Sequence, residues 1–358
     1  MPFLERVLEP PSYGYRDANG ELYVPSIAEI FREFFLRVNP FLTKKNWLPF
    51  WCWASTLALA VPFLIFIFKF FTWPLALGSL AYSMIGLGTH GTIWLHRYST
   101  HRAFKFRNRF WTMIVRNLTI KVVPEEIYVI SHHVHHKYPE KPGDPYNALA
   151  GWFYCFFADS NHQPIARNLS ESDYKRASLL LDHTGVRINT YEQYKRWGSV
   201  QNPFSTILQQ ALNWCFWYGA LFLIGGHPLA VAMFGMCVIW AFGIRTFNFD
   251  GHGRGHDQRK PGVDFNRADL SVNQLWPGFV AGEWHNNHHL FPNSARSGFL
   301  PHQIDFAWYF IRALYAVGIV KSYKDSRTDY YFNYYWPYHN LPRPQVPNKE
   351  GVLINGIK

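Results

Sequence analysis

Apolar residues along this chain gather in four long blocks instead of alternating with polar ones at the period of a soluble helix or strand. Residues 47–71 contain one charge, Lys69, and residues 75–95 contain none. Residues 207–225 and 228–247 make a second pair, interrupted only by Arg245 near its end. At about 1.5 Å per residue, each block is long enough to cross a hydrocarbon core of about 30 Å. The pattern predicts four transmembrane helices in two hairpins, 47–95 and 203–248, turning at Thr72-Trp73-Pro74 and Gly226-His227-Pro228. The remaining segments, 1–46, 96–202 and 249–358, then lie on one side of the membrane. The predicted fold class is therefore an all-α integral membrane protein, two hairpins capped by a helical domain, working as one functional unit. Residues 304–320, apolar on one face and interrupted by Arg312, predict an amphipathic surface helix and not a fifth span.

Charge fixes the orientation of this topology. Thirty-five Lys and Arg against 24 Asp and Glu give a net charge of +11. Apart from Lys69, the basic residues fall on the side shared by the termini and the central segment, which the positive-inside rule makes cytoplasmic. They are scattered over polar segments without a nucleic-acid motif, so they point to anionic lipid headgroups or an acidic protein partner, and no nucleic acid is expected. Trp47, Trp51, Trp53 and Trp73 flank the first block and fit interfacial anchoring. No secretory signal is expected in residues 1–46, which are polar and proline-punctuated. The four cysteines, Cys52, Cys155, Cys215 and Cys237, sit singly in apolar surroundings and are expected to pack, not to pair.

Candidate chemistry comes from histidine. Eight of the 17 histidines form three clusters: His96 and His101 in H-R-Y-S-T-H, His132, His135 and His136 in H-H-V-H-H, and His285, His288 and His289 in H-N-N-H-H. Residues three and four apart share a helical face, so each H-x-x-H-H run is expected to act as a tridentate ligand. Five residues on an ideal helix span about 500°, so His96 and His101 would diverge by roughly 140° unless the helix ends, bends or is rewound between them. The topology puts all three clusters at the cytoplasmic face, where they can meet. Eight imidazoles exceed what one tetrahedral zinc can use, which implies two metals. The H-E-x-x-H signature of zinc peptidases is absent, and redox chemistry on a lipid C–H bond by an oxygen-activating di-iron pair fits better.

With these boxes in this order and topology, the chain resembles the membrane-bound fatty acyl desaturases of the stearoyl-CoA desaturase type. The resemblance implies two irons held by nine histidines, with O2 as co-substrate. It makes His252, after the fourth span, the ninth ligand beside His96, His101, His132, His135, His136, His285, His288 and His289. Asn248, four residues before His252, would reach a metal through water. Asp144-Pro145-Tyr146-Asn147 is similar to the family's D-P-H-N stretch and departs from it at Tyr146. The implied reaction is removal of two hydrogens from a long acyl chain, with electrons from a separate cytochrome b5, ferredoxin or rubredoxin and its reductase. The implied location is a bacterial inner membrane or the endoplasmic reticulum. Related di-iron hydroxylation, or decarboxylation to a terminal alkene, begins with the same hydrogen abstraction and stays open. A metal transporter is the alternative of another class.

The neighbours of the boxes divide less cleanly. His90 lies within a span and is expected either to bond between helices or to support a ligand. His133 points off the box face and is expected to support a ligand or lie at the surface, and His256 is expected in a loop near the substrate entrance, with a tenth ligand as the alternative. Asp144 and Glu283 are the carboxylates nearest the boxes and could orient a ligand imidazole, with Asn147 beside Asp144. Lys137, Arg97 and Arg102 are expected to be solvated or lipid-facing charges, with binding of an acyl-carrier phosphate or carboxylate as the alternative. His162, His183, His227, His302 and His339 are expected to be ordinary loop residues.

Overall fold

Helix breakers decide how the apolar blocks become helices. The computed structural model describes residues 2–341 together with the paired two-residue strands Val346–Pro347 and Leu353–Ile354. Among the described residues, two helices are long and apolar enough to cross a membrane, Lys44–Phe70 and Pro203–Gly251. In the first, Pro62 lacks the N–H that would bond to Ala58 O, and the helix divides into Trp47–Ala58 and Ala60–Ile65 before a π-helical end at Phe66–Phe70. Pro74 then opens a helix over 73–100 that alternates between α and π geometry.

Pro203–Gly251 is two arms joined at a break. Gly225 (φ −145°) and Gly226 (φ 69°, ψ −168°) leave helical geometry, and 226 takes a conformation open to glycine. The expected turn at Gly226-His227-Pro228 thus lies one residue earlier, because Pro228 suits the first turn of the returning helix. Ring contacts of Phe234 with Trp214 (6.1 Å) and Tyr218 (5.6 Å) hold the arms side by side. The hairpins in turn meet at glycine. A Cβ on Gly235 would lie 2.5 Å from the Phe63 Cα, and one on Gly91 would lie 2.7 Å from the Trp240 ring.

Outside the apolar helices, Glu125–Lys137 is the central element. It buries Val129, Ile130 and Val134 against Val7, Leu8, Tyr174 and Tyr194. Near its start, the Glu126 carboxylate accepts the N–H groups of Val200 (3.0 Å) and Gln201 (2.7 Å), just before the second hairpin begins. Strand Phe104–Phe106 pairs antiparallel with Val320–Tyr323 and fastens the exit of the first box to the C-terminal segment. The amphipathic helix expected over 304–320 is shorter, Phe306–Ala316. Asp305 caps it through Trp308 N, and Gly318 (φ 76°) ends it, so that Val320 enters the strand. Cys52, Cys155 and Cys237 are buried, Cys215 is exposed, and all four are free thiols.

A β-branched side chain at position 235 would push the hairpins apart. Gly235→Val is expected to destabilise the protein by about 1–3 kcal/mol, read as a lower melting temperature in detergent. Burial pushes the Glu126 carboxyl up to about 7, against the backbone hydrogen bonds it accepts. A carboxyl raised on folding contributes stability below its unfolded pKa, and this contribution is lost as pH rises through about 7. Glu126→Gln should therefore flatten the fall in melting temperature between acid and neutral pH.

Candidate metal centre

A change in helical winding brings the first box together. Thr92–Thr100 is π-helical, and His101 N–H donates to His96 O (3.1 Å), five residues back. Five residues then make about one turn, so the two imidazoles share a face with ring centroids 5.0 Å apart. Of the three sequence expectations for this stretch, local rewinding is shown, and the helix also ends at Thr100 with His101 as its C-cap.

The box histidines and His252 converge as two groups. His96, His101, His132, His136 and His288 form one, and His135, His252, His285 and His289 form the other, each with its candidate ligand atoms within 4.8 Å of one another. Each H-x-x-H-H run thus splits between the groups, which corrects the tridentate expectation. The physical reason is helical phase: positions 135 and 136 are about 100° apart, so one run can straddle two centres. Gly251 allows the second group to close, since a Cβ there would lie 2.8 Å from the His285 ring.

Carboxylates back one group and not the other. His135 Nδ1 donates to Asp144 Oδ1 (2.9 Å), His289 Nδ1 to Asp269 Oδ2 (2.8 Å), and His252 Nδ1 to Glu140 Oε1. Asp144 is itself held by the N–H groups of Tyr146 and Glu140, both at 2.9 Å. Burial alone would lower the His135 pKa and raise that of Asp269, but the opposite charges win. The His135 pKa stands above its usual value, and the Asp269 carboxyl stands well below the usual carboxylate range. Sequence reasoning missed Glu140 and Asp269, whose partners lie 112 and 20 residues away with no motif linking them. In the other group, burial and neighbouring imidazoles push His101, His132, His136 and His288 well below the ordinary histidine pKa.

This donor pattern tests the fit to a metal. In the neutral form that metal ligation requires, a ring that donates through Nδ1 presents a bare lone pair at Nε2. His135 and His252 both donate through Nδ1, yet their Nε2 atoms face each other at 3.0 Å, and His285 Nε2 lies 3.1 Å from that of His252. Lone pairs aimed at one another in a buried site fit a cation between them. His96, His136 and His288 also converge through Nε2, at 2.7 and 2.9 Å, but among the described residues no hydrogen-bonded carboxylate on Nδ1 fixes which ring carries the proton.

The remaining candidates fall around this centre. Asn248 is buried with its side-chain oxygen unpartnered. Glu283 lies 3.9 Å from His96 Nδ1 and 3.5 Å from Arg97, and burial pushes it up to about 7. Arg97 corrects the expectation of a solvated charge. It is buried, paired with Asp305 at 2.9 Å, and donates to Ala295 O and Ser297 Oγ. Lys137 and Arg102 are exposed. His90 lies outside both groups, its ring nitrogens 2.8 Å from Val115 O and 3.0 Å from Thr119 Oγ1. His133 is half-buried outside both groups, and His256 is exposed. Asn147 caps a turn through Leu149 N. His162, expected as a plain loop residue, is fully buried, bonded to Tyr13 and stacked on Tyr154 at 3.9 Å, because the N-terminal segment folds over it.

A narrow cavity of about 50 Å³ adjoins the centre. His96, Asn248, Glu283, Gly91, Val123 and Trp240 are among the residues that line it.

The sequence profile of the fatty acid desaturase family matches residues 71–334. The chain is 29% identical over 285 residues to delta-9 acyl-lipid desaturase 1 of Arabidopsis thaliana, covering 75% of this chain and 81% of that protein. It is 30% identical to an acyl-CoA 5-desaturase of Anemone leveillei, covering 75% of each. A hex-5-enoyl-[acyl-carrier protein] acetylenase of Moorena producens is also 30% identical, over 70% of this chain and 76% of that protein. The protein belongs to the fatty acid desaturase family, whose members are oxidoreductases acting on fatty acyl chains.

Removing Arg97 would strand Glu283 and Asp305 as buried, uncompensated carboxyls. Arg97→Met is expected to cost about 3–5 kcal/mol, measured as a loss of thermal stability in detergent.

Proposed function

We propose that this protein is a membrane di-iron, O2-dependent fatty acyl desaturase that introduces a double bond into a long acyl chain. The observation that carries this reading is the donor set: nine buried or half-buried histidines in groups of five and four, three of them fixed by carboxylates so that Nε2 faces inward. His96, His101, His132, His136 and His288 would hold one iron, and His135, His252, His285 and His289 the other, with Asn248 reaching a metal through water. When bound, the iron pair supplies the dioxygen-activating chemistry that breaks unactivated C–H bonds.

The chain's own residues do the rest. Asp144, Glu140 and Asp269 keep the Nδ1 protons and thereby hold each ligand in the tautomer that can bind metal. The cavity beside His96 and Asn248 receives the acyl chain. Lys44–Phe70, the 73–100 helix and the two arms of Pro203–Gly251 form the four membrane spans. In support, Phe68 and Trp73 at the first turn and Leu223 and Ile224 at the second expose large apolar surfaces to lipid. The Arg109–Arg116 helix, with Phe110, Met113 and Ile114 exposed on one side, suits the membrane surface. Both termini and the histidines lie on the cytoplasmic side. There the basic surface would attract a separate acidic electron donor such as cytochrome b5, ferredoxin or rubredoxin. The transporter reading has no comparable support, because the histidines gather at one end of the helices and not along a path through them.

Purified protein should hold about two irons per chain. Reconstituted with a donor system and saturated acyl substrates, it should release products two hydrogens lighter by mass spectrometry. Products that are only hydroxylated or shortened would sink the desaturase reading in favour of hydroxylation or decarboxylation. Glu140→Gln and Asp269→Asn should each weaken iron retention about 10- to 100-fold, read as metal per chain after dialysis against a chelator. Retention at the wild-type level would remove these carboxylates from the ligand-supporting role.

A further inference from the structure

The Ile27–Arg37 helix turns its charges toward the protein and its aromatic rings away from it. A capping box between Ser26 and Glu29 starts the helix. Its buried positions are Ile30, Glu33 and Arg37. Arg37 Nε donates to Glu33 Oε1 (2.6 Å), Ser12 N donates to Glu33 Oε2 (3.1 Å), and Arg37 Nη2 donates to Pro10 O (2.7 Å). Phe34 completes the inner face against Trp53 at 4.9 Å and Phe157 at 5.0 Å, and Asn161 Nδ2 donates to Ile30 O (2.9 Å).

At about 100° per residue, Ile27, Ala28, Phe31, Arg32, Phe35 and Leu36 share the opposite arc of the helix. All six are exposed, Phe35 by 64%. Four of them are large and apolar, one is basic, and none is a carboxylate. A helix facing water has the reverse order, with aromatic rings inward and charges outward. The apolar surface continues through Phe41, 96% exposed, and Leu42, 60% exposed, to Lys44, where a helix long enough to cross a membrane begins. It also extends sideways: Phe31 meets Phe153 at 6.2 Å, and Leu149 and Trp152 are exposed on that neighbouring stretch. Single exposed apolar residues are ordinary, but a contiguous set marks a surface meant for contact.

We propose that Ile27–Arg37 lies in the plane of the membrane, sunk into the head-group boundary of the cytoplasmic leaflet with Phe31, Phe35 and Leu36 among the acyl chains. This rests on the membrane topology proposed above and not on the reaction. Continuity with the first span selects lipid as the occupant. Six residues separate Arg37 from Lys44, and Asn46 Nδ2 donates to Leu36 O (2.8 Å) and Asn39 O (2.7 Å), so the end of the helix is tied to the start of the span. Charge agrees with this choice. Arg32 and the exposed Lys44 carry long stems that reach lipid phosphates, while Glu33 is turned inward. The inner face of the helix packs on Phe157 and Asn161, and Cys155, Ala158 and Asp159 of the same stretch line the cavity beside the histidines. Contact with the leaflet thus sets the height of that cavity wall relative to the lipid.

Quenching of a nitrobenzoxadiazole label on the full-length protein tests this, in nanodiscs of phosphatidylcholine and phosphatidylglycerol. Cys215 is the exposed thiol, so Cys215→Ser gives the background for Phe31→Cys and Phe35→Cys. Phe68→Cys, at an exposed position in the first span, serves as the lipid reference, and Glu192→Cys, at an exposed position of the Tyr191–Trp197 helix, as the water reference. Labels at 31 and 35 should behave like the label at 68, with a ratio of quenching by doxyl lipid to quenching by aqueous iodide about ten-fold or more above that at 192. Iodide quenching at 35 as strong as at 192 overturns the proposal. Shielding of 35 from both quenchers, with energy transfer between labelled chains in discs that hold two, overturns it in favour of a self-association surface. Iodide quenching at 68 as strong as at 192 defeats the topology and the proposal with it. Iron content and product analysis read the desaturase reading separately, so either can fail while the other stands.

Discussion

Everything in this fold answers to one electrostatic constraint: nine imidazoles must be packed into a water-poor interior with several of their lone pairs facing one another. Neutral rings in that arrangement gain nothing from each other, and charged ones would repel at a few ångströms. The arrangement becomes favourable only with a cation inside each group and fixed tautomers outside it. The π-helical rewinding at Thr92–Thr100, the missing side chain of Gly251 and the buried carboxylates around the second group are ways of meeting that demand.

The two histidine groups meet it unequally. His135, His252 and His289 each pass a ring proton toward a carboxylate, which adds negative charge just behind three of four donors. In the other group the nearest carboxylate, Glu283, stands 3.9 Å from His96 and shares its field with Arg97. One centre is therefore richer in electron density at its ligands than the other. Two ions placed in them would be chemically distinct even though every candidate protein ligand except Asn248 is an imidazole.

How much of this was legible in the sequence follows from the range over which each feature is encoded. Helix phase and box spacing are local, so the box histidines could be picked out as a converging set from their order and topology alone. The way they divide was not legible, because H-x-x-H-H says that three rings share a face and not that the face looks onto two centres. Hydropathy placed the apolar blocks, while the π segments within 73–100 and the break at Gly225 and Gly226 altered where regular helix begins and ends. Glu140 and Asp269 were invisible because their partners are brought near only by the fold. Arg97 misled for the opposite reason: a basic residue beside a surface-facing motif looks solvated until Asp305 and Ser297 arrive from some 200 residues further on.

That long reach has a consequence for how the protein is made. The Phe104–Phe106 strand waits for Val320–Tyr323, and the first group of histidines stays incomplete until His288 has been synthesised. Neither histidine group can close from a nascent chain that carries only the first hairpin and the first two boxes. Loop closure across most of the polypeptide comes last, and until then the early histidines stand apart from their partners. Any metal held by the two groups would load late in folding, because a ribosome stalled after the second apolar pair leaves a chain with only His96, His101, His132, His135 and His136 of the nine.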